Sequence, residues 1–244
     1  MKNFTFNKEE HYYELDGKRM YGITTILGVI AKPALIQWAA NMVVEYVMNI
    51  AKQDGKGNYT CNDEVLKEAR YAHKKKKESA GEKGTDTHSL IEDYIKLMIA
   101  DQDGIAKSIT DGHNNPMVEH FIQWAVKNKI KFLVSEKQLY SESAWTAGTC
   151  DMTFEQDGKK YVGDIKTSSA IYPEHFYQMA AYRMMLEEMG ETDFVGSAVI
   201  RIGKDGKFNE DKDVKYRYDH ETDLKAFLGA LAIFKAGETY KQIK

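Results

Sequence analysis

Asp151, Asp164 and Lys166 have the types and spacing for metal-assisted attack on a phosphodiester. They lie in GTCDMTFEQDGKKYVGDIKTSS, residues 148–169, where two alternating runs flank Asp157-Gly158, a dipeptide that favours a tight hairpin turn. Side chains alternate along a strand, so Asp164 and Lys166 share a face and the hairpin brings Asp151 alongside. Two carboxylates at the ends of neighbouring strands suit a hard cation such as Mg2+, which takes one or two protein carboxylates together with water and substrate phosphate. The lysine is then left to meet the attacking water or the charge developing on phosphate. Spacing by itself says little, since Asp16/Lys18, Asp157/Lys159 and Asp223/Lys225 repeat it in turns and polar segments. Context separates Asp164 and Lys166, which follow the apolar Tyr161-Val162-Gly163 inside a strand, where unpartnered charge is costly. The plainer reading is a buried salt bridge between Lys166 and one of the aspartates.

Two other segments add candidates. His88 lies on an amphipathic helical segment, TDTHSLIEDYIKLMIA, one turn before Glu92. A lone helical histidine is more often structural than a ligand, and both readings stand. Gln178 and Tyr182 are also one turn apart, on the helical run after Lys166, a pattern equally suited to plain packing.

The elements that position these residues follow from periodicity and turn chemistry. HYYELDGKRMYGIT reads as a strand pair around a D-G turn, and PALIQWAANMVVEYVMNIAK as a helix opened by Pro33. DEVLKEARYAHKKKKESAGEKG, residues 63–84, reads as an exposed helix stopped by its glycines, with the His88 helix starting afresh after Gly84. NPMVEHFIQWAVKNK is a further helix, followed by the strands KFLVSEKQLYS, AGTCDMTFEQ and KKYVGDIKTS as a meander. A helix over PEHFYQMAAYRMMLEEMG closed by Gly190, the strands FVGSAVIRIG and DVKYRYD, and a last helix complete the chain. The expected class is α/β in the mixed α+β sense: a central mixed β-sheet flanked by helices, with an N-terminal helical extension over 1–83 and a core over 84–244.

At 244 residues and 43% hydrophobic content the chain can bury a substantial core. A net charge of −3 gives no overall attraction to nucleic acid, so a polyanion would have to meet a local basic patch. Cys61 and Cys150 are the two cysteines, too few for a four-cysteine iron–sulfur or zinc site. The polar N-terminus and the lack of an apolar run of about 18 residues lead us to expect a cytoplasmic protein without a membrane partner.

GTDTH on a helix, GTCD and GDIKTS on successive strands, and QMAAY on the next helix together resemble the RecB-like branch of the PD-(D/E)XK nucleases. The phage-type exonucleases and the mitochondrial genome maintenance exonuclease group are the nearest in pattern. The resemblance runs from about residue 84 to residue 202 and implies a restriction-endonuclease-like core. It also implies that His88, Asp151, Asp164 and the backbone carbonyl of Ile165 hold one or two Mg2+ or Mn2+ ions, with Lys166 as the catalytic lysine. Gln178 and Tyr182 match the motif that positions the DNA strand or the catalytic residues, and Glu136 matches a frequent glutamate of the family, taken with Glu92 as supporting the metal ligands from behind. The chain departs from relatives that carry an iron–sulfur cluster, and it has no G-x-x-x-x-G-K-[ST] loop of a motor.

The expectation is therefore a metal-dependent DNA exonuclease acting at DNA ends in recombination or replication, with a single-strand annealing protein as the partner the resemblance implies. Lys74, Lys75, Lys76 and Lys77, with Arg70 and Lys83 nearby, are the candidate DNA-binding patch, against the alternative of a solvated face. Trp145, just before the GTCD strand, is the candidate for stacking a base, ahead of Trp38 and Tyr46. The rivals are a structure-specific or single-strand endonuclease with the same site, and a DNA-binding subunit without catalysis.

Overall fold

Turn chemistry sets the hairpins of the computed structural model. It describes residues 2–53, 58–100, 115–203 and 207–241, leaving out the side chains of 52–53, 80–85 and 241. Asp16 and Gly17 have φ of 49° and 75°, and Asp157 and Gly158 51° and 71°, so both D-G pairs make the left-handed corners that suit strand twist. The first joins β2 (Tyr12–Leu15) to β3 (Lys18–Gly22), and β1 (Phe4–Asn7) pairs on β2 as a third strand absent from the sequence expectation. The second joins β7 (Thr146–Gln156) to β8 (Lys159–Lys166).

The chain divides into two units, residues 1–30 with 87–244, and residues 31–86. The first 30 residues, expected to go with the helical extension, instead extend the main sheet. That sheet has eight strands in the order β1-β2-β3-β7-β8-β9-β10, with β6 (Lys131–Ser141) paired to β7, β9 at Phe194–Arg201 and β10 at Val214–Arg217. It is mixed: β3 runs parallel to β7 and β8 parallel to β9, and the other pairs are antiparallel. The class is α/β, as expected.

Alternation sorts each strand onto two faces. Tyr161, Ile165, Ala198 and Ile200 pack with Ile91, Phe121 and Trp124, whereas Val162 and Val199 pack with Ile26, Met179, Tyr182 and Phe227. The first cover comes from the C-terminal part of a helix at Ala72–Ile99 and from the helix Pro116–Lys127. The second comes from Ile23–Leu27, Pro173–Glu188 and His220–Lys241. With Pro33–Ile50, Asp63–Ala69 and the short Glu210–Asp213, the helices in chain order are α1 (23–27), α2 (33–50), α3 (63–69), α4 (72–99), α5 (116–127), α6 (173–188), α7 (210–213) and α8 (220–241). Among the described residues no helix is long and apolar enough to cross a membrane.

The smaller unit holds α2, α3, the two-stranded β4 (Lys52–Gln53) and β5 (Tyr59–Thr60), and the start of α4. One expectation fails here. The glycines at 81 and 84 do not stop a helix; α4 runs through both to Ile99, and the break falls earlier, after Ala69. A helical glycine costs only about 1 kcal/mol relative to alanine, and the buried Ile91, Tyr94 and Ile95 stripe downstream offsets that.

Candidate active site

Strand β7 has β6 along one edge, but its other edge changes partner. Thr146 and Ala147 pair with β3, and from Met152 onward the strand pairs with β8. Asp151 stands at this fork. Its Oδ2 accepts a hydrogen bond from the Ile165 N–H at 2.8 Å, a carboxylate taking the place of a ladder carbonyl.

The faces exchange at the same point. Cys150 packs with the α6 cluster, as does the position a Cβ on Gly148 would take, whereas Met152 and Phe154 pack with the α5 cluster. Unbroken alternation would keep all four on one face, so β7 rolls over at Asp151. On β6, Glu136 lies between the pairs Ser135↔Met152 and Lys137↔Cys150, which sets it opposite Asp151, and its φ is 46°. Such irregularities re-aim side chains beside sites.

Asp164 is fully buried, one step beyond the Met152↔Gly163 pair, so the register sets it opposite Asp151. Gly163 is required: a Cβ there would lie 2.7 Å from Met152 Cε. Lys166 Nζ lies 2.6 Å from Asp164 Oδ2, as the plainer salt-bridge reading anticipates. Apart from that ammonium, neither oxygen of Asp164 has a hydrogen-bond donor among the described residues. Burial, with Asp151 adding to it, pushes the Asp164 carboxyl up to about 7 even though Lys166 opposes the shift. Burial also works against the Lys166 ammonium, but Asp164 and Asp151 outweigh it and hold its pKa above the ordinary lysine value.

Glu136 is pushed up to about 8, by burial first and then by the charges of Asp151 and Glu92. Glu92 itself accepts from Lys96 one turn on. His88 Nδ1 is 4.0 Å from Asp151 Oδ2. On α6 the Gln178 amide donates to the Tyr182 hydroxyl at 2.8 Å, and both residues are buried. Burial and then the charges of Asp151 and Asp164 raise the Tyr182 phenol well above its ordinary value, so the pair belongs to the same electrostatic neighbourhood.

The expected residues thus sort into two groups. His88, Asp151, Asp164, Lys166, Gln178 and Tyr182 come together, with Glu136 and Glu92 beside them. For Ile165, the contact the structure supplies is its amide on Asp151. Trp145 serves the fold: its indole N–H donates to the Arg19 carbonyl at 2.9 Å, and its ring packs with Tyr13, Leu15 and Met20. Lys74, Lys75, Lys76 and Lys77 are exposed on α4 in the smaller unit, where Lys75 pairs with Glu68 at 2.9 Å and Lys74 with Glu78 at 3.9 Å. The Lys83 side chain lies outside the described residues. In the same unit Tyr46 donates to Glu68 and Trp38 meets His73 edge-on.

The donors suit a hard divalent cation. Asp164 offers two buried carboxylate oxygens whose one neighbouring donor among the described residues is the Lys166 ammonium, opposite a second carboxylate. Among the described residues, no three imidazole, thiol or carboxyl groups stand as a ready-made cage. Two carboxylates and water meet the demand of Mg2+. Asp151 and Asp164 would hold it, with His88 the nearest imidazole.

No family model matches the chain, and no curated protein does. Among solved structures, one described as the crystal structure of SSO0001 is similar over 61% of this chain and 74% of its own, at 12% identity and a TM-score of 0.30.

Proposed function

We propose that the chain is a divalent-metal-dependent deoxyribonuclease of the PD-(D/E)XK type, working as an exonuclease on DNA ends. One observation carries the reading: a fully buried aspartate set opposite a second aspartate at a strand fork, with a lysine on its own strand, 2.6 Å away, as its one donor among the described residues. A structural ion pair needs one carboxylate for one ammonium; here Asp151 and Asp164 share Lys166.

A Mg2+ or Mn2+ ion bound at Asp151 and Asp164 would supply a Lewis acid for the phosphoryl oxygens and a more acidic water. Lys166 is held as an ammonium, so it donates hydrogen bonds and offsets the charge that develops on the phosphate. Asp164 keeps that ammonium in place, and the Ile165 amide keeps Asp151 aimed. Gln178 and Tyr182 form the wall behind them. A hydrolytic role at ends, a recombination or replication setting and a strand-annealing partner rest on the motif resemblance.

The test is end-labelled linear and closed circular DNA, single- and double-stranded, in Mg2+, Mn2+ and EDTA, beside Lys166→Ala. Metal-dependent loss of linear substrate alone, abolished by the substitution, is the expected result. Cutting of circles replaces the exonuclease with an endonuclease; no cleavage with either metal ends the nuclease reading.

A further inference from the structure

Beyond the carboxyl ends of β8 and β9 lies a second cleft, of about 860 Å3, walled on one side by residues 169–173 with Phe176 and Tyr177, and on the other by Arg201, residues 207–209, the α7–β10 segment as far as Arg217, and Asp223. Lys166 and Arg201 are cross-strand partners, and Arg201 lines the cleft, so the cleft opens one strand over from the candidate active site. The crevice outside the carboxyl ends of parallel strands is where open α/β sheets bind ligands.

Its charge runs against that of the whole molecule. The lining has five cationic side chains and two carboxylates, on a chain of net charge −3. Both carboxylates are engaged: Arg201 Nε donates to Asp213 Oδ1 at 2.7 Å and Arg217 Nε to Asp223 Oδ2 at 2.5 Å. These pairs are a frame. Asp213 Oδ2 also accepts from the Asn209 N–H at 2.8 Å, and the Arg217 guanidinium lies 6.0 Å from the Phe176 ring centre. Lys212 and Lys215 are exposed at the rim, where Lys215 Nζ also donates to the Asp211 carbonyl, a neutral acceptor that leaves its charge in place, and they make the rim a focus of positive potential for an anion.

Aromatic faces share the same cleft. Tyr172 is 40% exposed, and its hydroxyl is hydrogen-bonded to Ser169 Oγ at 3.0 Å, which holds the ring. Phe208 stacks on His120 with centroids 5.7 Å apart. Cationic groups beside fixed aromatic faces are how proteins hold single strands, phosphates on the one and bases on the other. The volume is within the roughly 300–1,000 Å3 of small-ligand sites, enough for a nucleotide.

We infer that this cleft is a nucleotide subsite, seating a phosphorylated nucleotide of a single strand with its base on Tyr172 and its phosphates on Lys212 and Lys215. The inference rests on the nuclease reading for one point, that the strand seated here continues to Lys166.

The test is binding of a short fluorescent oligo(dT), and of an abasic strand of equal length, in EDTA, where no cleavage intervenes. Lys212→Ala with Lys215→Ala weakens both probes about tenfold or more and lowers the log–log salt slope by about 0.7 per lysine. Tyr172→Ala weakens oligo(dT) roughly five- to hundredfold and leaves the abasic strand unchanged. Thermal melts check that these surface variants fold. Variants that bind oligo(dT) like the wild type overturn the subsite, even where the wild type degrades DNA. Binding lost in the variants of a protein that cleaves nothing in Mg2+ or Mn2+ upholds the nucleotide seat and removes the nuclease reading.

Discussion

The Ile165 N–H donates to Asp151 Oδ2 at 2.8 Å, so a candidate metal ligand doubles as a rung of the β7–β8 ladder. The two roles separate by substitution. Asp151→Asn keeps an acceptor for the amide and removes the charge; it is expected to fold with near-wild-type stability in EDTA and to lose stabilisation by Mn2+. Asp151→Ala strands the amide at a cost of about 1–3 kcal/mol. Urea unfolding in EDTA compares them, and equal stability of the two variants would show that the bond has no structural part.

Asp164 and Glu136 hold their protons up to about 7 and about 8, burial being the main cause of each. Both pKa values are raised above their ordinary values of 3.8 and 4.5, so the native state binds the extra protons. Their contribution to stability is complete below those ordinary values and is lost as pH rises through about 7 and 8. Metal-free protein is therefore expected to melt at a lower temperature at pH 8.5 than at pH 6, and a divalent cation to raise the melting temperature more at the higher pH. Glu136→Gln flattens the metal-free profile. A profile of the same slope in wild type and Glu136→Gln sinks the assignment.

Removing the ammonium beside Asp164 has a separate signature. Lys166 opposes the upward shift of Asp164, so Lys166→Met is expected to drive the aspartate's titration above about 7, visible in carboxyl carbon NMR, and to abolish cleavage. An unmoved titration contradicts the 2.6 Å pairing.

Tyr182 packs on a strand that leaves it no spare room: a Cβ on Gly148 would stand 2.7 Å from its Cε1. Gly148→Ala is expected to cost about 1–3 kcal/mol by overpacking. Tyr182→Phe removes the acceptor for the buried Gln178 amide and costs about 1–3 kcal/mol. Denaturant midpoints measured in EDTA report both, and a Gly148→Ala protein as stable as the wild type rules out the contact.

What could be read from sequence was local. The D-G corners at Asp16-Gly17 and Asp157-Gly158, the Pro33 and Pro173 helix starts and the shared face of Asp164 and Lys166 depend on neighbours within a few residues, and each appears as expected. What escaped was decided at long range. Glu136 faces Asp151 because of the β6–β7 register and a positive φ, neither of which a single strand's alternation encodes. Helix α4 continues through Gly81 and Gly84 because its later half is buried in the sheet's core, a tertiary gain that outweighs glycine's backbone penalty. The cleft at Arg201 draws on residues from several segments, and Lys212 or Tyr172 carried no signal alone. Trp145 was legible as an aromatic near the site but not as a donor to Arg19, a partner from the far end of the chain.

The partner exchange on β7 also bears on the order in which the protein is made. Tyr21 and Gly22 are made well before the strand they pair with, which begins at Thr146. Until then the β1–β3 ribbon is a hairpin structure with an open edge, marginal by itself. The β1–β3 strands thus wait for β7, and the fork that presents Asp151 is complete only when β3 closes on it. The pairing of residues 21–22 with 146–147 is the kind of non-local closure that slows sheet proteins and leaves an edge open to wrong partners until it forms.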